Sequence, residues 1–409
     1  MEATFEANPV LTDSDQLARR NALTLAAAQS VVGAANPVVV SLGGLAGTLL
    51  LADNPALATL PVSSFGVGLA LGTLPAAWLM ELTGRKTGFL TGAGIGFGGF
   101  LGAAGALVAG SFWLFCLALL IAGSSVAFVQ QYRFAAADEA SATFRPRAIS
   151  WVLAGGLGAA IIGPQTAIAT KDILAPVPFA GAFVAAALLM LPGALILSRL
   201  RFTRQRAHHS AGQGGRPLGQ IIRSRAFLVA VICGVSSYAL MSLVMTGTPL
   251  AMVHAGHSHD DAMLGIQWHV LAMYAPSFFT GSLIVRFGKK AIVGIGLFLL
   301  TLCAAAGLTG VGLWNFWGAL ILLGVGWNFA FLGATAMLTE THSEAEKSRV
   351  QGLNDFLIFG SVALASLSSG QIFNSFGGQA LFWVILPVVA LSSLLLITRP
   401  AARSHGSSV

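Results

Sequence analysis

The chain is a succession of long apolar runs, most of about twenty residues and nearly free of charge, and this pattern constrains the fold more than any other feature. The runs occupy residues 22–51, 60–80, 87–109, 112–134, 148–169, 177–198, 226–253, 264–285, 291–309, 314–337, 352–372 and 379–397. A helix of about 20 apolar residues spans the hydrocarbon core of a bilayer. Inside lipid every backbone N–H and C=O needs an internal partner, and no alternating barrel pattern is present, so the runs are read as helices. Of the 409 residues, 56% are hydrophobic and 9% are charged. A soluble domain carries about a quarter charged residues, so this composition excludes a soluble enzyme and a disordered protein alike. At roughly 34 residues per helix and connection, twelve helices fill the chain and leave no extramembrane domain of useful size. The expected fold class is an all-α membrane protein of twelve transmembrane helices.

A net charge of +7 suggests nucleic acid only until the charges are located. They lie in short loops between the runs. Of the 22 Lys and Arg, Lys171 alone falls in a loop on the face opposite the termini, so the positive-inside rule predicts that both termini are cytoplasmic. The first 21 residues carry Glu2, Glu6, Asp13 and Asp15 and lack a charged-then-apolar leader, so no cleaved signal peptide is expected. Cys116, Cys233 and Cys303 sit in separate apolar runs and offer no disulfide framework.

The longest connection on the basic side, residues 199–225, is rich in Arg, Gly, Ser and His and divides the runs six and six. It reads as a basic cytoplasmic linker between an N-terminal bundle, residues 1–198, and a C-terminal bundle, residues 226–409. A weak repeat supports the division: Glu81-Leu82-Thr83-Gly84-Arg85-Lys86 follows the second run, and Val285-Arg286-Phe287-Gly288-Lys289-Lys290 follows the eighth. The glycines at 84 and 288 lie half a chain apart, and Arg145 matches Arg349 at the same offset. Two duplicated six-helix halves are the architecture of a rocking transporter.

On these residues the chain resembles the major facilitator superfamily over essentially its whole length. The turn after the second run is similar to that superfamily's motif of Gly, acid, then Gly with two basic residues. Here Ala77 replaces the first glycine and Glu81 supplies the acid, while the second copy keeps Gly281 and puts Val285 at the acid position. Gly155, Gly156, Gly158, Gly163 and Pro164 resemble the superfamily's kinked fifth helix, but lack the glycines that would follow the proline; close packing of small residues is the preferred reading. The resemblance implies two pseudo-symmetric six-helix bundles that rock about a central site.

Soft and imidazole side chains cluster. Five of nine methionines (Met241, Met245, Met252, Met263 and Met273) and four of eight histidines (His254, His257, His259 and His269) fall in residues 241–273. Met241 and Met245 are four apart on the seventh run, and His269 and Met273 four apart on the eighth, so each pair projects from one helical face. Thioether sulfur is neutral and polarizable and favours Cu(I) over hard cations. Cys233, Met241, Met245 and Met252 fall within about 120° of one another on a helical wheel. This suggests a relay in which Met252, His254, His257, His259 and Met263 collect an ion outside and Cys233 helps it leave. Competing readings stay open: methionine as gap-filler, His269 bonded to a backbone carbonyl, a solvated histidine loop, and Cys233 as a small buried apolar residue.

The paired MxxxM and HxxxM segments also resemble those of the CcoA-like (CalT) copper importers of this superfamily. That resemblance implies a multi-pass protein of the bacterial inner membrane that imports copper, as transported substrate rather than permanent cofactor, for assembly of cbb3-type cytochrome oxidase. Met241, Met245, His269 and Met273 would bind the ion, and an intracellular acceptor would receive it. Relatives without the motifs carry other substrates such as riboflavin, so an importer of a small organic solute is the alternative. A non-transporting copper sensor or donor is a third. A monomer is expected, with the lipid bilayer and the copper ion as its partners.

Other polar residues within runs include Gln29, Asn36, Gln130, Gln131, Tyr132, Arg133, Asp138, Gln165, Asn328, Asn354 and Asp355. Ionisable groups at such positions are functional candidates by default. Arg133 and Asp138, with Glu81 and Arg85 of the repeated turn, are candidates for gating the cytoplasmic side; an interface ion pair accounts for the first two as well. Nothing resembles a nucleotide loop or a nucleophile with its base, so no enzyme is expected.

Overall fold

A computed structural model describes residues 13–138, 140–141, 144–202, 215–343 and 346–398. Residues 203–214 of the expected linker, including Arg204 and Arg206, and the two ends of the chain lie outside the described residues. The helices are α1 (Asp13–Val32), α2 (Ala35–Leu50), α3 (Leu60–Thr83), α4 (Arg85–Val108), α5 (Phe112–Val129), α6 (Tyr132–Asp138), α7 (Arg145–Thr170), α8 (Ala180–Leu197) and α9 (Leu218–Ile222). They continue as α10 (Arg225–His254), α11 (His259–Tyr274), α12 (Ser277–Phe287), α13 (Lys289–Leu308), α14 (Leu313–Leu338), α15 (Lys347–Phe376), α16 (Ala380–Trp383) and α17 (Ile385–Ile397). No strand occurs among the described residues. Eleven stretches are long and apolar enough to cross a membrane, and α11 with α12, bent by 43°, makes a twelfth.

The sequence predicts unbroken helices, and the structure breaks three of them where proline dictates. A proline has no N–H and its ring clashes with the carbonyl four residues earlier. Pro37 acts on Gly33, where α1 gives way to α2; Pro276 lies in the bend between α11 and α12; Pro387 acts on Trp383, where α16 gives way to α17. The fourth expected run is also interrupted, at Gln130 and Gln131 between α5 and α6.

Two large hydrophobic cores form, beside two smaller clusters. One is built by residues of the first half such as Leu25, Phe89, Phe115 and Phe183, with Leu250 and Met263 reaching in from the second. The other is built by residues of the second half such as Val244, Leu297, Leu320 and Phe382. The repeated turns are alike in backbone: Gly84 and Gly288 adopt φ of 87° and 85°, values that favour glycine. Each turn is braced by an ion pair within its own half, Arg85 Nε to Asp138 at 2.5 Å and Lys289 Nζ to Glu340 at 2.5 Å.

The four glycines of α7 pack against neighbouring helices. A side chain at Gly155 would strike the Ala26 carbonyl oxygen at 2.3 Å, and one at Gly163 the Ala34 carbonyl oxygen at 2.4 Å, so these positions let α7 lie against the broken α1–α2 span. Within the linker the chain is fastened to the second half by Arg216, whose guanidinium donates to both oxygens of buried Glu346 at 2.9 Å. That pairing holds the Glu346 carboxyl well below the usual carboxylate range.

Candidate functional site

A cavity lies between the two halves, from mid-span toward the face with the basic loops. From the first half it is lined by Gln29, Asn36, Ser125, Gln130 and Arg133 among apolar neighbours, and from the second by Val270 and Tyr274. Its cavity volume is about 90 Å³, and its mouth opens to solvent. Three helix breaks surround it: Gly33 lies at the first, Gln130 at the second, and Tyr274 ends α11 just before the third. Transporter sites are commonly built at such discontinuous helices, where polar groups and freed backbone meet a water-filled space.

The opposite face is shut. Thr59 and Ser63 at the start of α3 donate to the Leu367 carbonyl at 3.4 Å and the Ser366 hydroxyl at 3.1 Å on α15. Gln165 of α7 bonds Gln267 of α11 at 2.8 Å. Lys171 pairs with Asp260 at 3.3 Å as well as with its neighbour Asp172, and the rings of Phe179 and His259 meet edge-on at 5.3 Å. Every one of these contacts joins one half to the other, apart from the pairing with Asp172. On the basic face the ties Asp15–Ser141, Asn21–Arg201, Arg85–Asp138 and Lys289–Glu340 each stay within a half. The structure is closed on one side and accessible from the other.

Arg133 is the cation of this cavity. Its guanidinium lies over the Phe134 ring, 4.7 Å from the centroid, while its buried Nε has no hydrogen-bond partner. The predicted gating residues therefore divide. Arg85 and Asp138 form the ion pair described above, Glu81 is exposed at the end of α3, and Arg133 faces the cavity.

The soft residues are placed otherwise. Met241 and Met273 are buried in the second core, and Met245 packs where Val40, Ala160, Ile266 and Val270 meet between the halves. His269 is fully buried, and its Nδ1–H donates to the Leu320 carbonyl of α14 at 2.8 Å. In the neutral ring this leaves Nε2 as a lone pair, and it has no partner. Cys233 is fully buried in the same core as Met241.

The structure does not gather the expected outer relay. His254 meets Phe373, His257 bonds the Val311 carbonyl at 2.8 Å, and His259 meets Phe179, three different neighbours. Met252 and Met263 are fully buried in different cores rather than presented at the mouth. Among the described residues no three His, Cys, Asp or Glu are grouped to hold a metal.

Sequence reading named Gln29, Asn36, Gln130 and Arg133 and passed over Tyr274. A signal for it was present: the chain has only three tyrosines against 26 phenylalanines, and Tyr274 stands inside a span at the cavity.

The comparisons with known proteins agree with this geometry. The Major Facilitator Superfamily profile matches residues 268–408. The chain is 51% identical over 383 residues to the riboflavin transporter RfnT of Brucella anthropi, covering 93% of this chain and 96% of that one. It is 31% identical over 399 residues to an uncharacterised MFS-type transporter, YdeG of Bacillus subtilis, covering 92% of each. Among solved structures, a mutant of the nucleoside transporter NupG superposes with a TM-score of 0.71 over 93% of this chain and 98% of that one, at 13% identity, a likeness of fold alone. These findings favour the organic-solute alternative over copper import and do not support membership of the copper-importer branch.

Proposed function

The chain belongs to the major facilitator superfamily, and from that premise we propose that it takes up a small planar organic solute of the flavin class by alternating access. The observation that carries this reading is the cavity at the three helix breaks. Gln29, Asn36, Gln130 and Tyr274 supply donors and acceptors for a neutral, oxygen- and nitrogen-rich solute, and Arg133 adds donors that a carbonyl satisfies. Both halves contribute to the lining, so rocking one against the other exposes the same groups first to one face and then to the other. The basic loops support a cytoplasmic position for the accessible face, and the likeness to a bacterial riboflavin transporter supports an inner-membrane location.

The test is uptake of radiolabelled riboflavin into sealed vesicles containing the purified protein. Saturable accumulation, competed by unlabelled riboflavin, is expected. Absence of accumulation above protein-free vesicles overturns the reading.

One observation favours copper as a second reading. A buried histidine that donates Nδ1–H to a backbone carbonyl presents Nε2 in the tautomer a metal uses, and His269 does this on the helix that carries Met273. Copper uptake in the same vesicles, abolished by His269→Ala and Met241→Ala while riboflavin uptake persists, would support it. Copper uptake equal to protein-free vesicles would remove it.

A further inference from the structure

Near their ends on the basic face, α10 and α15 lie side by side and leave a groove between them. Its volume is about 650 Å³, within the roughly 300–1,000 Å³ of pockets that hold small molecules. Buried Phe227 and Val231 form the floor, and Leu228 and Ile232 of α10 face Leu353 and Leu357 of α15 as walls. Leu228 and Leu357 are exposed, both belong to spans, and the groove shares no lining residue with the cavity between the halves, so what covers it is the hydrocarbon of the bilayer. Among the described residues of the lining one is charged, Arg223, and it stands where the groove ends at the start of α10. Its backbone is held on both sides: Ser224 N–H donates to the Ile221 carbonyl at 2.9 Å, Ser224 Oγ accepts from Phe227 N–H at 3.3 Å, and Ile221 is buried in one cluster with Phe227 and Val231. The arginines nearest to it in the chain are engaged. Arg216 pairs with Glu346, and Arg225 donates to the Leu395 carbonyl at 3.2 Å and the Thr398 hydroxyl at 2.6 Å beyond the end of α17. Arg223 is exposed and has no acceptor among the described residues.

We propose that this groove binds one anionic phospholipid of the leaflet on the basic-loop side, with an acyl chain lying between α10 and α15 and the phosphate on the Arg223 guanidinium. A groove meets a chain along its floor and both walls, where a bare helix face offers contact on one side, and the added dispersion contacts distinguish a retained lipid from the exchanging ones around it. The guanidinium presents parallel N–H groups that match two phosphate oxygens, which fixes the headgroup over the end of the groove. A zwitterionic lipid brings its own cation beside that phosphate, so the charge of Arg223 selects the anionic one. The site is separate from the solute cavity and is independent of which solute the chain carries.

The test is binding of radiolabelled phosphatidylglycerol to the purified full chain in detergent, read by scintillation proximity. The competitors are unlabelled phosphatidylglycerol, phosphatidylcholine with the same acyl chains, and inorganic phosphate. The wild type is set beside Arg223→Gln, Leu357→Trp and Arg20→Gln, each checked for wild-type elution and thermal midpoint. Saturable binding of one lipid is expected, with phosphatidylglycerol preferred over phosphatidylcholine by about fivefold, the effect of one basic residue near an anionic surface. Arg223→Gln should bring phosphatidylglycerol down to the phosphatidylcholine level. Leu357→Trp, which fills the groove with a ring, should weaken both lipids. Arg20→Gln removes the same charge from an exposed position of the first half on the same face and should bind as the wild type does. The proposal is overturned if the wild type shows no saturable binding, or if Arg223→Gln keeps the wild-type preference. An equal loss in Arg20→Gln also overturns it, because the attraction then belongs to the basic face as a whole. Displacement by inorganic phosphate as effective as by unlabelled lipid, with Leu357→Trp unchanged, overturns it in favour of a plain phosphate site.

Discussion

Among the buried nitrogens without a partner in the described residues, His269 Nε2 and Arg133 Nε differ in kind. His269 Nε2 is a lone pair enclosed in the second half, its ring fixed to the Leu320 carbonyl and its helix face pressed on Gly324. Arg133 Nε is a donor at a cavity that both halves line and that opens to one face. A carrier must show its site to each side in turn, so the group at the moving boundary is suited to transport. The group inside a single core is suited to holding that core in register. A buried unsatisfied atom is therefore a weaker clue to cargo than its position relative to the seam.

The comparison is broken most directly by apolar replacement in the cavity. Gln130→Leu combined with Asn36→Leu removes two amides from the lining without touching either core. Riboflavin uptake should fall at least tenfold, since each lost hydrogen bond is worth about 0.5–1.5 kcal/mol and an unpaired ligand group costs more. Uptake within twofold of wild type would show that the cavity is not the path.

A smaller effect is expected at the other nitrogen. His269→Leu removes one hydrogen bond, worth about 1 kcal/mol, and also removes the orphaned Nε2, so the two changes offset. Thermal unfolding should show a net change of about 1 kcal/mol or less, and riboflavin uptake should stay within twofold. Met241→Leu should behave likewise, as a swap of similar volume in a packed core. A collapse of riboflavin uptake in either variant would reverse the comparison and put the cargo site on the α10–α11 face.

How much of this was legible in the sequence depends on what each residue answers to. The spans and the two-half plan follow from apolar length and loop charge, which act locally. The amides and Arg133 were visible because a polar group in a span is costly wherever the chain places it. The regular spacing of Met241, Met245, His269 and Met273 was equally visible. It fixes which side of its own helix a residue occupies, but not which neighbour that side meets. His269 shares a face with Met273 as expected, and that face meets α14 through Leu320, Gly324 and Asn328. The breaks at Pro37, Pro276 and Pro387 needed only the rule for proline; what the sequence withheld is that the first two border the same cavity.

The seam on the far face supplies the smallest prediction. Lys171 is the one basic residue of that face, and the carboxylates of Asp172 and then Asp260 hold its ammonium above the usual lysine range. A lysine whose pKa is raised by such partners contributes fully below its ordinary value, about 10.4, and loses that contribution only as pH climbs through the raised one. The pair should hold the far face shut throughout the neutral range and loosen in strong alkali. Asp260 is half-exposed, so the cross-seam part is worth about 1 kcal/mol at most, a shift of no more than about fivefold in the balance between closed and open forms. Lys171→Gln should therefore raise the labelling rate of a cysteine placed at Thr59 by a small factor at pH 7, and that factor should fade as the pH climbs through the raised lysine pKa and the wild type releases its proton. A labelling rate that is unchanged at pH 7 would mean that Ser63, Gln165 and the Phe179–His259 contact hold the seam by themselves.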